Sequence, residues 1–145
     1  PIVVVGRKTR YFNFLKIQMQ KNKIDPDRII FLQNVTIEEL PSIYKLADIF
    51  IYPSLFEGFG IPIIEALTSG IPVITSKDGC FSEAGGSETI YIDPNNYEEI
   101  AHNIDNLLNN EQLRKSMIKS GKEYVKGFDP QYLSSELMNL YKSFF

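Results

Sequence analysis

The stretch of sequence that decides the fold is Tyr52-Pro53-Ser54-Leu55-Phe56-Glu57-Gly58-Phe59-Gly60-Ile61-Pro62-Ile63-Ile64-Glu65-Ala66-Leu67-Thr68-Ser69-Gly70-Ile71-Pro72-Val73-Ile74-Thr75-Ser76. The apolar run at its start, residues 49–52, predicts a short buried strand that Pro53 ends. Pro62 suits the first turn of a helix, and Gly70 followed by Pro72 predicts where that helix ends. Residues 73–75 then predict a second strand. The stretch therefore reads strand, turn, helix, strand, which is the crossover unit of a parallel sheet.

The turn containing Gly58 and Gly60 predicts a helix start that can bind an anion. Glycine reaches backbone conformations that cost other residues energy, so we expect the helix to begin near Gly60. The first turn of a helix has unpaired N–H groups and carries the positive end of the helix dipole. Both would point beyond the carboxyl end of the preceding strand, where an anion could bind.

Glu65 is an unusual residue for its position in this helix. Its neighbours are mostly apolar, namely Ile61, Ile63, Ile64, Ala66 and Leu67, and they predict a largely buried helix. A buried carboxylate without a partner is costly or becomes neutral, so we expect Glu65 to meet hydroxyls or a cation from the protein or from a ligand. The alternative is a glutamate on the helix surface at the rim of the sheet.

The composition is that of an ordinary soluble globular protein, with 43% hydrophobic residues. A length of 145 residues predicts one domain, residues 1–145. The net charge of -3 and the lack of a dense Lys and Arg cluster argue against nucleic acid or an anionic membrane as a partner of this chain. Cys80 cannot form an internal disulfide, and with His102 it makes no zinc-type ligand set, so we expect no metal site.

The two ends of the chain and its targeting also lead to expectations. No apolar run approaches the roughly 20 residues that span a bilayer, and no leader precedes the first strand, so we expect a soluble, cytoplasmic chain. Because Pro1 leads directly into a strand, we expect the chain to be a piece of something longer.

Strands and helices alternate along the whole chain. We predict further strands at 2–5, 29–32 and 89–92, and further helices at 10–22, 36–47, 97–109, 111–126 and from 129 to the end. Residues 81–84 are predicted as a short helix or a turn. The β-branched run 2–5 is typical of a strand buried on both faces. The alternation predicts an α/β fold with a Rossmann-like, doubly wound parallel sheet flanked by helices. Ligands bind such sheets outside the carboxyl ends of the strands, where the loops at Gly6, Asn34, Gly58 and Lys77 would lie.

The motif Pro53-Ser54-x-x-Glu57-Gly58-Phe59-Gly60-x-Pro62-x-x-Glu65-Ala66-x-x-x-Gly70-x-Pro72-Val73-Ile74-x-Ser76 resembles that of the family 4 (group 1) retaining glycosyltransferases of GT-B fold. The resemblance covers essentially all residues and extends to Val3-Val4-Val5-Gly6 and Leu46-Ala47-Asp48. It is a resemblance to the carboxyl-terminal half of such enzymes, a Rossmann-like domain that binds the donor. The N-terminal acceptor domain would then lie outside this chain, as would the Arg and Lys pair that neutralises the diphosphate.

The resemblance implies a function and the residues that carry it. The partner would be a nucleotide-diphosphate sugar, whose sugar is transferred with retention and without a metal or other cofactor. Glu57 would be catalytic, since it would touch sugar hydroxyls and steady the positive charge at the anomeric carbon. The amides of Gly58, Phe59, Gly60 and Ile61 would face the diphosphate or sugar, Glu65 would accept hydrogen bonds from the ribose, Asn34 and Val35 would contact the base, and Gly6 and Arg7 would line the neighbouring loop.

Two other functions stay open beside this one. The chain could be a non-catalytic module that binds a nucleotide sugar, and we expect these 145 residues alone not to transfer sugar. It could also belong to a nucleotide-sugar epimerase of the same architecture, which would need its own acid and base. His102, the one histidine, is predicted on a solvent-facing helix, which disfavours that reading. Any peripheral membrane association would involve only the acceptor half.

Overall fold

The computed structural model describes all 145 residues, in two compact units, Pro1–Leu40 and Pro41–Phe145. The first unit contains strand β1 (Ile2–Val5), helix α1 (Arg10–Lys21), a 3-10 turn at Pro26–Arg28 and strand β2 (Ile29–Leu32). The two strands pair in parallel, with Ile2 opposite Ile29. These elements lie where the sequence predicted them. The single domain predicted over residues 1–145 stays a prediction.

The predicted burial of β1 is wrong, although its position is right. All four of its residues are exposed, from 38% for Val4 to 56% for Ile2. The strand has one neighbour, β2, and a two-stranded sheet with a single helix in its unit cannot cover both faces. The packing that does form lies on β2, where the ring of Phe31 meets Phe12 of α1 edge to face at 4.6 Å.

The second unit holds a three-stranded parallel sheet in the order β3-β4-β5. Its strands are β3 (Phe50–Tyr52), β4 (Val73–Ser76) and β5 (Ile90–Ile92), and Phe50 lies opposite Val73. The helices are α2 (Leu40–Lys45), which begins at the boundary between the units, α3 (Ile61–Ser69), α4 (Phe81–Gly85), α5 (Tyr97–Asn109), α6 (Glu111–Tyr124) and α7 (Pro130–Lys142), with a 3-10 turn at Val125–Phe128. Parallel sheets flanked by helices confirm the predicted α/β class.

Local sequence signals account for several helix ends. Gly70 ends α3 in the left-handed conformation with φ 78°, as its sequence predicted. Asp129 caps α7 by accepting hydrogen bonds from the N–H groups of Gln131 and Tyr132. The predicted capping box between Thr36 and Glu39 also forms, with distances of 2.9 and 3.3 Å. The regular helix after it begins only at Leu40, however, so the predicted 36–47 helix is shorter than expected.

One core cluster of the second unit lies between its sheet and helices α5 and α6. Ile74 of β4 and Ile92 of β5 pack with Leu107 of α5 and Met117 of α6, and the four are at most 3% exposed. All four residues of β4 are buried, which is the environment expected of the central strand of a parallel sheet. The sheet is therefore fixed from the side of α5 and α6. None of the helices combines the length and the apolar character needed to cross a membrane.

A pair of neighbouring leucines on α5 tests this core. Leu107 is fully buried, whereas Leu108 is 49% exposed. We expect Leu107→Ala to lower the free energy of unfolding by about 2–5 kcal/mol, because it leaves a cavity beside Ile74 and Ile92. Leu108→Ala should cost less than about 1 kcal/mol. Denaturant unfolding of both variants measures the difference, and equal losses would contradict this description of the core.

Candidate functional site

The loop between β3 and α3 is anchored by hydroxyl groups of the neighbouring strand β4. The Thr75 hydroxyl donates to the backbone carbonyl of Tyr52 at 2.8 Å, and the Ser76 hydroxyl donates to the carbonyl of Ser54 at 2.5 Å. Both side chains are almost fully buried. Each buried hydroxyl thus has a hydrogen-bond partner, and two carbonyls of the loop are fixed. The direction in which the loop leaves the sheet edge is therefore defined.

Helix α3 begins directly after Gly60, as the sequence predicted. Gly60 has φ 98° and ψ 41°, a left-handed conformation that favours glycine. Its carbonyl accepts a hydrogen bond from the N–H of Ile63 at 2.9 Å, and Pro62 occupies the first turn. Pro62 has no N–H, so of the first two helix residues only Ile61 offers one, and it has no acceptor within the helix. Together with the amides of Gly58, Phe59 and Gly60 in the turn, it forms a short array of N–H groups at the edge of the sheet.

Glu57 lies in the loop before α3 and is held through one of its two carboxylate oxygens. Oε1 accepts hydrogen bonds from the Tyr52 hydroxyl at 2.6 Å and from the Ser54 hydroxyl at 2.9 Å. The bond from Tyr52, followed by that from Ser54, lowers the pKa of Glu57 below its ordinary value. Glu57 is therefore ionised at neutral pH, and its Oε2 makes no hydrogen bond within the chain.

Glu65 has the hydroxyl partner that its surroundings predicted, and the partner belongs to the protein. The hydroxyl of Tyr44, on α2, donates to Glu65 Oε2 at 3.0 Å. Tyr44 is only 8% exposed, and burial, then its bond to Glu65, raises its pKa, so the hydroxyl keeps its proton. The helix is less buried than predicted, since Ile61 is 62% exposed, and Glu65 itself is half-buried.

The aromatic residue of the glycine turn packs within the second unit. The ring of Phe59 meets Phe128 at 5.9 Å, and Phe128 meets Tyr124 at 5.5 Å. These contacts tie the turn to the 3-10 segment that follows α6. Cys80, at the start of α4, places its thiol 3.5 Å from the carbonyl oxygen of Glu57 and is partly exposed.

The remaining predicted site residues lie in the first unit. Gly6 follows β1 and donates its N–H to the carbonyl of Leu32 at 3.1 Å. Asn34 follows β2 with φ 58°, a left-handed conformation that asparagine tolerates better than most residues. Since β1 and β2 are parallel, Gly6, the exposed Arg7, Asn34 and the half-buried Val35 follow the same edge of that sheet. Their part in binding stays a prediction.

Other polar features of the chain make no hydrogen bond to the two glutamates. A cleft of about 720 Å³ is open to solvent between Gly85–Glu88 and the face of α6 that carries Ser116 and Lys119, and neither Glu57 nor Glu65 lines it. No three His, Cys, Asp or Glu side chains are grouped so that they could hold a metal ion. His102 is exposed on α5, as predicted, and Glu83 is exposed on α4.

Comparison with known proteins identifies the family. A model of the group 1 glycosyl transferases matches residues 1–124. The chain belongs to this family. The O-antigen chain mannosyltransferase B of Escherichia coli is 34% identical to this glycosyltransferase chain over 114 residues, which are 79% of the chain and 30% of the relative. The chain thus spans about a third of the length of such curated relatives.

Solved structures agree with the fold of this glycosyltransferase chain. The C-terminal domain of the group 1 protein LpcC from Francisella tularensis is 29% identical, with a TM-score of 0.75 over 86% of this chain and 67% of that one. HepE of Anabaena in complex with UDP-glucose has a TM-score of 0.84 at 21% identity, over 97% of this chain and 40% of that one. These likenesses show a GT-B glycosyltransferase fold with a Rossmann-like C-terminal domain.

Sequence reasoning missed the two tyrosines that hold the glutamates. The sequence places Tyr44 in a predicted helix and Tyr52 in a predicted strand, and it assigns no partner to either hydroxyl. The one available signal was the carboxylate of Glu65 on an apolar helix, which called for a hydroxyl somewhere in the protein or a ligand. It did not indicate which hydroxyl, because Tyr44 is 21 residues away along the chain.

The two glycines of the turn differ in what a side chain would meet, and this gives a matched pair of variants. A Cβ on Gly60 would lie 3.2 Å from Ile63 Cδ1 and would be strained at φ 98°, whereas a Cβ on Gly58 would meet nothing within 4 Å. We expect Gly60→Ala to lower the free energy of unfolding by about 1–3 kcal/mol. Gly58→Ala should change it by less than about 0.5 kcal/mol. Thermal and denaturant unfolding provide the measurement, and a larger loss in Gly58→Ala would show that the turn is built differently.

Proposed function

We propose that this chain is the donor-binding part of a retaining glycosyltransferase and that it binds a nucleotide-diphosphate sugar. The observation that carries the proposal is the pair of carboxylates, Glu57 and Glu65, on either side of the start of α3. Each has one oxygen held by a tyrosine hydroxyl and the other without a partner in the chain. Two free carboxylate oxygens near an array of N–H groups suit a ligand with hydroxyls at both ends and an anionic middle.

The proposed roles follow the chemistry of each group. The amides of Gly58, Phe59, Gly60 and Ile61 would donate hydrogen bonds to the diphosphate or to the sugar, where the helix dipole favours negative charge. Glu65 would accept hydrogen bonds from the ribose hydroxyls. Glu57, kept ionised by Tyr52 and Ser54, would accept from the donor sugar and stabilise positive charge that develops at the anomeric carbon.

The first unit and the rest of the enzyme complete the proposal. Asn34 and Val35 would contact the base, with Gly6 and Arg7 lining the loop beside it. Because the chain spans 30% of its Escherichia coli relative, the acceptor domain and further diphosphate-binding groups would come from outside these residues. We propose that the enzyme acts in the cytoplasm, and that any peripheral association with a membrane involves the acceptor domain alone.

A non-catalytic nucleotide-sugar-binding module is the second candidate, and the same length comparison favours it for the chain in isolation. Donor binding would use the groups of this chain, whereas transfer also needs an acceptor held against the anomeric carbon. We therefore expect no sugar transfer by the 145-residue chain with UDP-glucose or GDP-mannose as donor. Robust turnover in such an assay would contradict this expectation.

Glu65 provides the most direct test of donor binding. Calorimetry with UDP, GDP, UDP-glucose and GDP-mannose should detect binding of at least one compound by the native chain. Glu65→Ala should weaken that binding about 10- to 100-fold, since hydrogen bonds to a charged acceptor are lost. Glu65→Gln keeps an acceptor for Tyr44 and should also weaken binding while preserving the melting temperature.

The matched control is Glu136→Ala, which removes an exposed glutamate on α7. It should leave both affinity and melting temperature unchanged. Equal affinity of the native chain and Glu65→Gln would remove Glu65 from the site. Absence of binding by the native chain to every compound would overturn the proposed function itself.

A further inference from the structure

We propose that Tyr44 and Tyr52 are positioning residues, each of which fixes one oxygen of a site glutamate so that the other oxygen is presented to the ligand. The inference rests on the proposed function and goes beyond it, because it concerns two residues that do not themselves meet the ligand. It predicts that the two tyrosines affect binding of different parts of the ligand. Tyr44 acts through Glu65 on the nucleotide, and Tyr52 acts through Glu57 on the sugar.

The hydrogen bonds of the two tyrosines follow the same plan. Each hydroxyl donates to one carboxylate oxygen, at 3.0 Å for Tyr44 with Glu65 and 2.6 Å for Tyr52 with Glu57. The carbonyl of Pro62 lies farther from the Tyr44 hydroxyl, at 3.5 Å. A carboxylate has about four acceptor sites on its two oxygens, so one donor leaves most of that capacity free. It does, however, remove rotational freedom, and a group held in place loses less entropy when a ligand binds.

The two tyrosines are joined to one another through Phe50. The Phe50 ring meets the Tyr44 ring edge to face at 5.3 Å and lies nearly parallel to the Tyr52 ring at 5.8 Å. Phe50 and Tyr52 belong to β3, whose end is anchored to β4 by the Thr75 hydroxyl. Aromatic pairs of this geometry add packing energy beyond area burial. The ring of Phe50 on β3 therefore contacts the rings of both tyrosines, Tyr52 on the same strand and Tyr44 on α2.

A substitution that removes only the hydroxyl tests the two tyrosines. Tyr→Phe keeps the ring and its packing and removes only the hydroxyl, so it separates positioning from core packing. Tyr91 supplies the matched control, because its hydroxyl is also half-buried but donates to the carbonyl of Gly86 at 2.6 Å, away from both glutamates. An effect that comes only from lower stability should then be seen in Tyr91→Phe as well as in the two site variants.

The first measurement needs no ligand. The titratable groups in contact with Glu57 are Tyr52 from β3, at its carboxylate, and Cys80 at the start of α4, at its backbone carbonyl. In carboxyl-labelled protein followed by NMR, Tyr52→Phe should raise the pKa of Glu57 toward 4.5, because a donor to the charged form is lost. Tyr91→Phe should leave it unchanged. An unchanged Glu57 pKa in Tyr52→Phe overturns the role assigned to Tyr52.

The second measurement separates the two tyrosines by the ligand each affects. Affinities for UDP, UDP-glucose, GDP and GDP-mannose are measured by calorimetry, and the pair that binds the native chain is used. Tyr44→Phe should lower the affinity for the nucleoside diphosphate and for its sugar conjugate equally, by about three- to tenfold. Tyr52→Phe should lower only the affinity for the sugar conjugate, by a similar factor. Tyr91→Phe should alter neither.

The outcomes distinguish this inference from the proposed function. If the native chain binds and both variants bind equally well, the positioning roles are wrong while donor binding stands. If all three Tyr→Phe variants lose affinity together, the hydroxyls serve stability rather than positioning. If the native chain binds none of the compounds, the proposed function fails and the role of Tyr44 toward a nucleotide fails with it, whereas the titration of Glu57 still decides the role of Tyr52.

Discussion

The second unit depends on one constraint, the connection of β3 to β4 through side chains as well as through the sheet. Thr75 pairs with Tyr52 at the end of the parallel ladder, and Ser76 follows it on β4. The hydroxyls of Thr75 and Ser76 fix the carbonyls of Tyr52 and Ser54. The backbone pairing stops at the end of β3, and beyond it these two hydroxyls hold the loop against β4. The positions of Glu57 and of the start of α3 therefore depend on β4.

The same loop shows how a polar site can be made on an apolar scaffold. Helix α3 buries Ile63, Ala66 and Leu67 on the side of the core, and Glu65 lies between that side and solvent. A half-buried carboxylate loses part of its hydration, and the hydrogen bond from Tyr44 replaces part of what is lost. Pairing with a hydroxyl costs less desolvation free energy here than pairing with a cation, because only one charge has to be removed from water. The site is thus held without a buried ion pair.

Much of this arrangement could be predicted from local sequence. Gly60, Pro62 and Gly70 fix the ends of α3 through backbone conformation alone, and the motif from Pro53 to Ser76 indicated the family that comparison confirmed. What local sequence could not supply was long-range geometry. The Tyr44 to Glu65 bond joins residues 21 apart, and the exposure of β1 depends on how many strands pair beside it. Neither depends on nearby residues, so hydrophobic pattern alone predicted a buried β1 where the sheet leaves it exposed.

Because the pKa of Glu57 is lowered, the stability that its hydrogen bonds contribute to the loop depends on pH. A carboxyl group whose pKa is lower in the folded state stabilises that state at pH values above its unfolded pKa, and this contribution is lost as pH falls through the folded pKa. For Glu57 the window lies below its ordinary value of 4.5. Over the neutral range the hydrogen bonds from Tyr52 and Ser54 are insensitive to proton concentration. Acid would weaken these two hydrogen bonds to Glu57, whereas the Thr75 and Ser76 hydroxyls do not titrate and would still hold the loop to β4.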